Sequence, residues 1–122
     1  MSEALAAVGA GIFSTDIVDH GYAAFDGIFD FVSDRYMDRD FAGIVTNPPY
    51  GPRGKLAELF IEHGILRMGY GFLALLLPAD FDSARTRMHL FGDCGQFAGK
   101  LTLTRRVMVR AFDESPHTTQ RE

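Results

Sequence analysis

The chain has 122 residues, 47% hydrophobic and 12% aromatic, with a formal net charge of −4. That length supports one globular domain with a real core, and the acidic balance excludes wholesale polyanion binding while leaving room for a local basic patch. The single Cys94 excludes an intramolecular disulfide, and with four scattered histidines it offers no metal-ligand spacing. No apolar run approaches the roughly 20 residues of a membrane span, and the opening MSEALAAVG lacks the basic start of a signal peptide. A reducing cytoplasm is the expected compartment.

In chain order, residues 3–8 read as the tail of a helix stopped by Gly9 and Gly11, and residues 12–17 as a strand ending near Asp16. Residues 27–31 form a shorter strand ending near Asp30, and residues 42–46 a third, continuously apolar as in a sheet covered on both faces. Residues 55–68 predict a helix with Leu56, Leu59, Phe60 and Leu66 near one stripe and Glu58 and Glu62 displaced from it. The run FLALLL, residues 72–77, predicts a central strand stopped by Pro78. Ser83 is placed to cap a helix running to about Phe91, with Arg85 and Arg87 projecting to solvent. Residues 100–112, rich in Thr and Val, read as a terminal strand or hairpin, and residues 114–122 as a polar, disordered tail. Strands alternating with helices predict an α/β fold with a mostly parallel sheet of five strands.

The third strand ends in Asn47-Pro48-Pro49-Tyr50, followed by Gly51, Pro52, Arg53 and Gly54. Ligands of open α/β sheets bind beyond the carboxyl ends of the strands, which makes this stop a candidate site by position. Consecutive prolines fix their own φ values and remove two N–H donors, so the loop is stiff and its carbonyls stay available as acceptors. Asn47, preceding a proline, is held extended with its side-chain oxygen free to face outward. Tyr50 supplies a flat ring alongside. Two fixed acceptors beside an aromatic platform suit a planar group carrying an NH2. The blander reading is a sharp loop stop.

The tetrapeptide resembles motif IV of the class I S-adenosylmethionine-dependent amino-methyltransferases, written Asn/Asp/Ser-Pro-Pro followed by Tyr, Phe or Trp. Asn-Pro-Pro-Tyr is the form common among adenine-specific DNA methyltransferases, and the likeness is greatest to small phage- and prophage-type enzymes. The resemblance implies a Rossmann-like sheet and S-adenosylmethionine as cofactor. It gives Asn47, Pro48, Pro49 and Tyr50 catalytic-site roles. Asp16 and Ile17 then end the strand whose acid accepts from the cofactor ribose, and Asp30 and Phe31 the strand whose acid binds its adenine amino group. No metal is implied.

One departure bears on all of this. Members of the family begin with a strand and a Gly-x-Gly turn that holds the methionine part of the cofactor, and that unit should precede the helix ending at Gly9. Gly9-Ala10-Gly11 follows the helix and is no substitute. The chain therefore reads as a methyltransferase domain over residues 1–113 that lacks its first strand. In the family that strand lies between the strands ending here at Asp16 and Thr46. Direct pairing of those two strands, borrowing of a strand from a partner, and poor folding are all open readings, and the exposed flanks imply self-association through edge pairing.

The implied partner is DNA, with Arg53, Lys55, Arg105 and Arg106 as phosphate contacts, although three arginines within positions 105–110 also fit a solvated face. The release-factor-modifying glutamine methyltransferases also carry Asn-Pro-Pro-Tyr, so a protein substrate is the alternative. A domain that keeps the base pocket without holding cofactor is the third reading.

Overall fold

The computed structural model describes residues 1–33, 42–68 and 71–105. Helix α1, Ser2–Ala7, opens the chain, and shortly after it Gly9 takes a φ of +90°, a value that glycine reaches without steric cost. The Ser2 hydroxyl lies 3.0 Å from that of Ser14, which seats α1 beside the strands that follow. β1 (Thr15–Asp16) and β2 (Gly27–Ile28) pair in parallel. β3 (Gly43–Thr46) and β4 (Phe72–Leu75) form a second parallel pair, in register from Gly43 opposite Phe72 to Thr46 opposite Leu75. Helix α2, Lys55–Arg67, makes the crossover between β3 and β4, as parallel strands require.

The fold is thus mixed α/β with short parallel two-stranded sheets. The expectation of one five-stranded sheet is corrected, because among the described residues four strands form two separate pairs and no ladder joins β1 to β3. Side chains shorten the first pair. The Asp26 carboxylate accepts from the Ser14 amide at 2.6 Å, and Asp30 Oδ1 accepts from the amides of Val32 and Ser33 at 3.1 and 3.3 Å. The Asp26 carboxylate gives the Ser14 amide a local partner in place of a longer ladder, and Asp30 closes a turn just beyond the expected second strand. Residues 12–14, residue 17 and residues 29–31 lie outside the strands they were expected to extend.

β4 stops at Leu75, two residues short of the expected end, although the Leu76 amide still donates to the Thr46 carbonyl at 3.1 Å. Residues 100–105 form no strand, and residues 106–112 and the tail 114–122 lie outside the described residues. The helix expected to start at Ser83 is replaced by two 3-10 segments, Phe81–Ser83 and Arg85–Leu90. Ser83 Oγ donates to the Asp80 carbonyl at 2.7 Å and does not cap, and extended backbone at Ala84 (ψ 128°) separates the segments.

α2 is turned differently from the expected stripe. Its buried residues are Ala57, Glu58, Ile61 and Gly64, while Leu59 and Leu66 are 41% and 81% exposed. Close packing sets this rotation: a Cβ at Gly64 would come within 2.6 Å of Leu73 Cδ2, so the strand side chain occupies the place a larger helix residue would need. The core consists of Ala57, Ile61, Phe81 and Leu90, with Ile65, Leu75, Leu77 and Phe91 packed against it. Every buried residue among those described lies between positions 48 and 90. The hydrophobic stabilisation therefore resides around β3, α2, β4 and the 3-10 segments, which is the part that carries Asn47 to Tyr50.

Candidate functional site

Asn47 follows the last residue of β3, so the parallel pair aims the four-residue stop out of its carboxyl end. Pro48 is buried while Asn47, Pro49 and Tyr50 are exposed. Among the described residues no backbone amide donates to the Pro48 carbonyl. The chain then reverses at Gly51, whose φ is +66° and where a Cβ would lie 2.9 Å from that of Leu56. The Tyr50 carbonyl accepts from the amides of Leu56 and Ala57 at 3.1 and 3.4 Å. It satisfies first-turn donors that no side chain caps, and so binds the Tyr50 backbone to the start of α2.

Arg87, expected in solvent beside Arg85, is drawn inward, whereas Arg85 is exposed. Arg87 Nε donates to Glu58 Oε1 at 2.9 Å, Nη1 to the Phe81 carbonyl at 3.1 Å and Nη2 to the Arg53 carbonyl at 2.7 Å. Its guanidinium also lies 3.8 Å from the Phe81 ring centroid. Four partners at once explain why the side chain gives up its hydration. Burial pushes the Glu58 carboxyl up, but the hydrogen bonds from Arg87 and Lys55 more than offset this and hold it below its ordinary value. Tyr50, Gly54, Asp80, Phe81, Ser83 and Arg87 are among the residues lining a shallow cavity of about 310 Å³.

The two acids expected to hold a cofactor lie at the carboxyl end of the first pair. Asp16 is exposed, and its Oδ1 accepts from the Ile17 amide at 2.6 Å. With Ser14, Thr15, His20 and Tyr22 it lines a second cavity, of about 520 Å³, while Ile17 is 60% exposed. The Ser33 side-chain hydrogen bond, reinforced by the amides of Val32 and Ser33 and the Arg67 charge, outweighs partial desolvation and lowers the Asp30 carboxyl below its ordinary value. Phe31 stacks on Phe60 at 5.0 Å, and the Arg67 guanidinium lies 4.8 Å from the Phe31 ring. Phe31 thus ties the first strand pair to α2. The fold brings Asp16 and Asp30 together at one strand-pair end and Asn47 and Tyr50 at the other, and the two cavities share no lining residue.

Of the basic residues expected at phosphate, Arg53 and Arg105 are exposed, Lys55 Nζ lies 3.0 Å from Glu58 Oε2, and Arg106 is outside the described residues. Glu58 and Arg87 were not legible as site residues, since neither falls in a motif and they are separated by 29 positions. Among the described residues no helix is long and apolar enough to cross a membrane, and no three His, Cys, Asp or Glu side chains gather as a metal site. Compared with protein-family models, curated proteins and solved structures, the chain matches none.

Proposed function

We propose that this chain is an S-adenosylmethionine-dependent amino-methyltransferase, or part of one, acting on the exocyclic amino group of adenine in DNA. The observation that carries the reading is the stiff Asn47-Pro48-Pro49-Tyr50 stop at the carboxyl end of β3, with Asn47 exposed and Tyr50 lining a cavity. A planar base extruded from a duplex, as chemistry on a base requires, stacks on the Tyr50 ring. The Asn47 side-chain oxygen and the Pro48 carbonyl accept from its amino group. Fixed acceptors become more effective as positive charge develops on that nitrogen, which is pre-organised electrostatic stabilisation. No strong general base is needed.

The cofactor, when bound, supplies the methyl group as an electrophilic sulfonium. The cavity around Asp16, with the Ser14 and Tyr22 side chains nearby, fits the ribose end of such a molecule. Asp16 is the acceptor for the ribose hydroxyls. Asp30 takes the amino group of the cofactor's adenine with whatever acceptor capacity its own turn leaves. Strand edges left without partners favour self-association, and a cytoplasmic location goes with the reading.

Labelled S-adenosylmethionine at millimolar concentration, supplied with unmethylated DNA or with protein, tests the proposal. The expected result is label recovered as N6-methyladenine and lost in Asn47→Ala. Label recovered on protein glutamine would move the substrate to the alternative class, and the absence of both cofactor binding and transfer would refute the methyltransferase reading.

A further inference from the structure

We propose that Arg87 is the positioning residue of the Tyr50 pocket, holding the ring in the attitude that receives a planar, amine-bearing base; the inference rests on Tyr50 as the stacking platform. Tyr50 reaches α2 through a turn whose second half is strained: Arg53, which is not glycine, has φ 56° and ψ 21°. The left-handed region is unfavourable for a residue that carries a Cβ, so an unsupported turn would relax and carry Tyr50 with it. The carbonyl of this strained residue is the one that accepts from Arg87 Nη2, at 2.7 Å and across 34 positions.

The other contacts of Arg87 fix the frame against which the turn is held. Nε grips Glu58 in the first turn of α2, next to Ala57, whose amide donates to the Tyr50 carbonyl. Nη1 grips the Phe81 carbonyl, and the guanidinium plane covers the Phe81 ring. Phe81, Arg87 and Tyr50 line one cavity. One side chain therefore joins the turn after Tyr50, the helix that caps onto Tyr50 and the opposite cavity wall. Gly54 completes the fit, since a Cβ there would lie 2.5 Å from Arg87 Nη2. A lysine would keep the charge facing Glu58, but its ammonium lacks the planar fork that serves divergent acceptors while stacking on a ring.

The test uses the 122-residue chain and a single-stranded oligonucleotide containing 2-aminopurine, whose fluorescence reports stacking. Wild type should bind the probe and quench it, and Tyr50→Ala should lose the quenching. Arg87→Lys, with unchanged far-ultraviolet circular dichroism, should bind about tenfold more weakly and quench less, as expected for loss of charge-assisted bonds. Because Arg87→Lys could fail to fold, the double variant Glu58→Gln, Arg87→Gln leaves no buried charge unpaired and should show the same loss. A folded variant of either kind that binds and quenches like wild type overturns the proposal and leaves Arg87 a stabilising residue only. Quenching that Tyr50→Ala does not alter overturns the base-pocket reading itself, and this proposal with it.

Discussion

A methyl group at position 71 would sit 2.5 Å from the carbonyl oxygen of Ala42, so Gly71 is packed against the backbone that leads into β3. The same carbonyl accepts from the Phe72 amide at 3.3 Å, at the point where β3 and β4 begin to pair. Gly71→Ala must therefore move main chain and should cost about 1–3 kcal/mol in urea unfolding. Gly43→Ala provides the contrast. Its Cβ would meet the Phe72 ring still more closely, but that ring is 55% exposed and free to swing outward. Stability should stay within about 0.5 kcal/mol of wild type, and a large loss there would show that Phe72 is held in place.

Gly54→Ala combines two penalties at the start of α2. The residue has φ +71°, and its Cβ would lie 2.5 Å from Arg87 Nη2 and 2.9 Å from Phe81 Cε2. Left-handed strain and displacement of the guanidinium together should cost about 2 kcal/mol or more. Thermal unfolding measures the cost, and a neutral result would mean that Arg87 is not tightly held.

Glu58 should make stability depend on pH in a defined direction. Arg87 and Lys55 face its carboxylate and hold its folded-state value below the ordinary one despite burial. Between the folded and unfolded values the unfolded chain binds a proton that the folded chain does not, so stability rises with pH through that window. The contribution is complete above the unfolded value of about 4.3 and is lost as pH falls through the folded value. Glu58→Gln should cost roughly 1–3 kcal/mol at neutral pH. Urea midpoints measured from neutral pH downward should show the difference from wild type shrinking below about pH 4.3. A difference that stays constant would assign the effect to packing.

Cofactor affinity should be weak. The described residues around Asp16 offer polar contacts for the ribose end, and Asp30 already serves the turn at Val32 and Ser33. Losing several contacts worth about 1 kcal/mol each moves binding by a few orders of magnitude. Calorimetric titration with S-adenosylmethionine checks this, and Asp16→Asn should weaken binding further. Low-micromolar affinity would overturn the weak-binding expectation, and an Asp16→Asn variant that binds like wild type would place the cofactor elsewhere.

The sequence by itself determined the features that depend on neighbouring residues. An apolar run against Pro48 and Pro49 ends a strand wherever it is placed, and α2 and the parallel β3–β4 pair follow from helical periodicity beside the run FLALLL. Exposure of Asn47 and Tyr50 follows from the same stop. The tertiary structure alone decided which face of α2 is buried, since that depends on Leu73 reaching Gly64 and on Arg87 reaching Glu58. It also decided that the strands form two pairs, because a ladder requires a partner brought alongside in space, and that β1 is short, because the Asp26 carboxylate claims the Ser14 amide that would have lengthened it. Glu58 and Arg87 look like surface charges in any local window. Only when the fold brings their opposite charges to 2.9 Å, with carbonyls of Arg53 and Phe81 completing the guanidinium, does burial become the lower free-energy state.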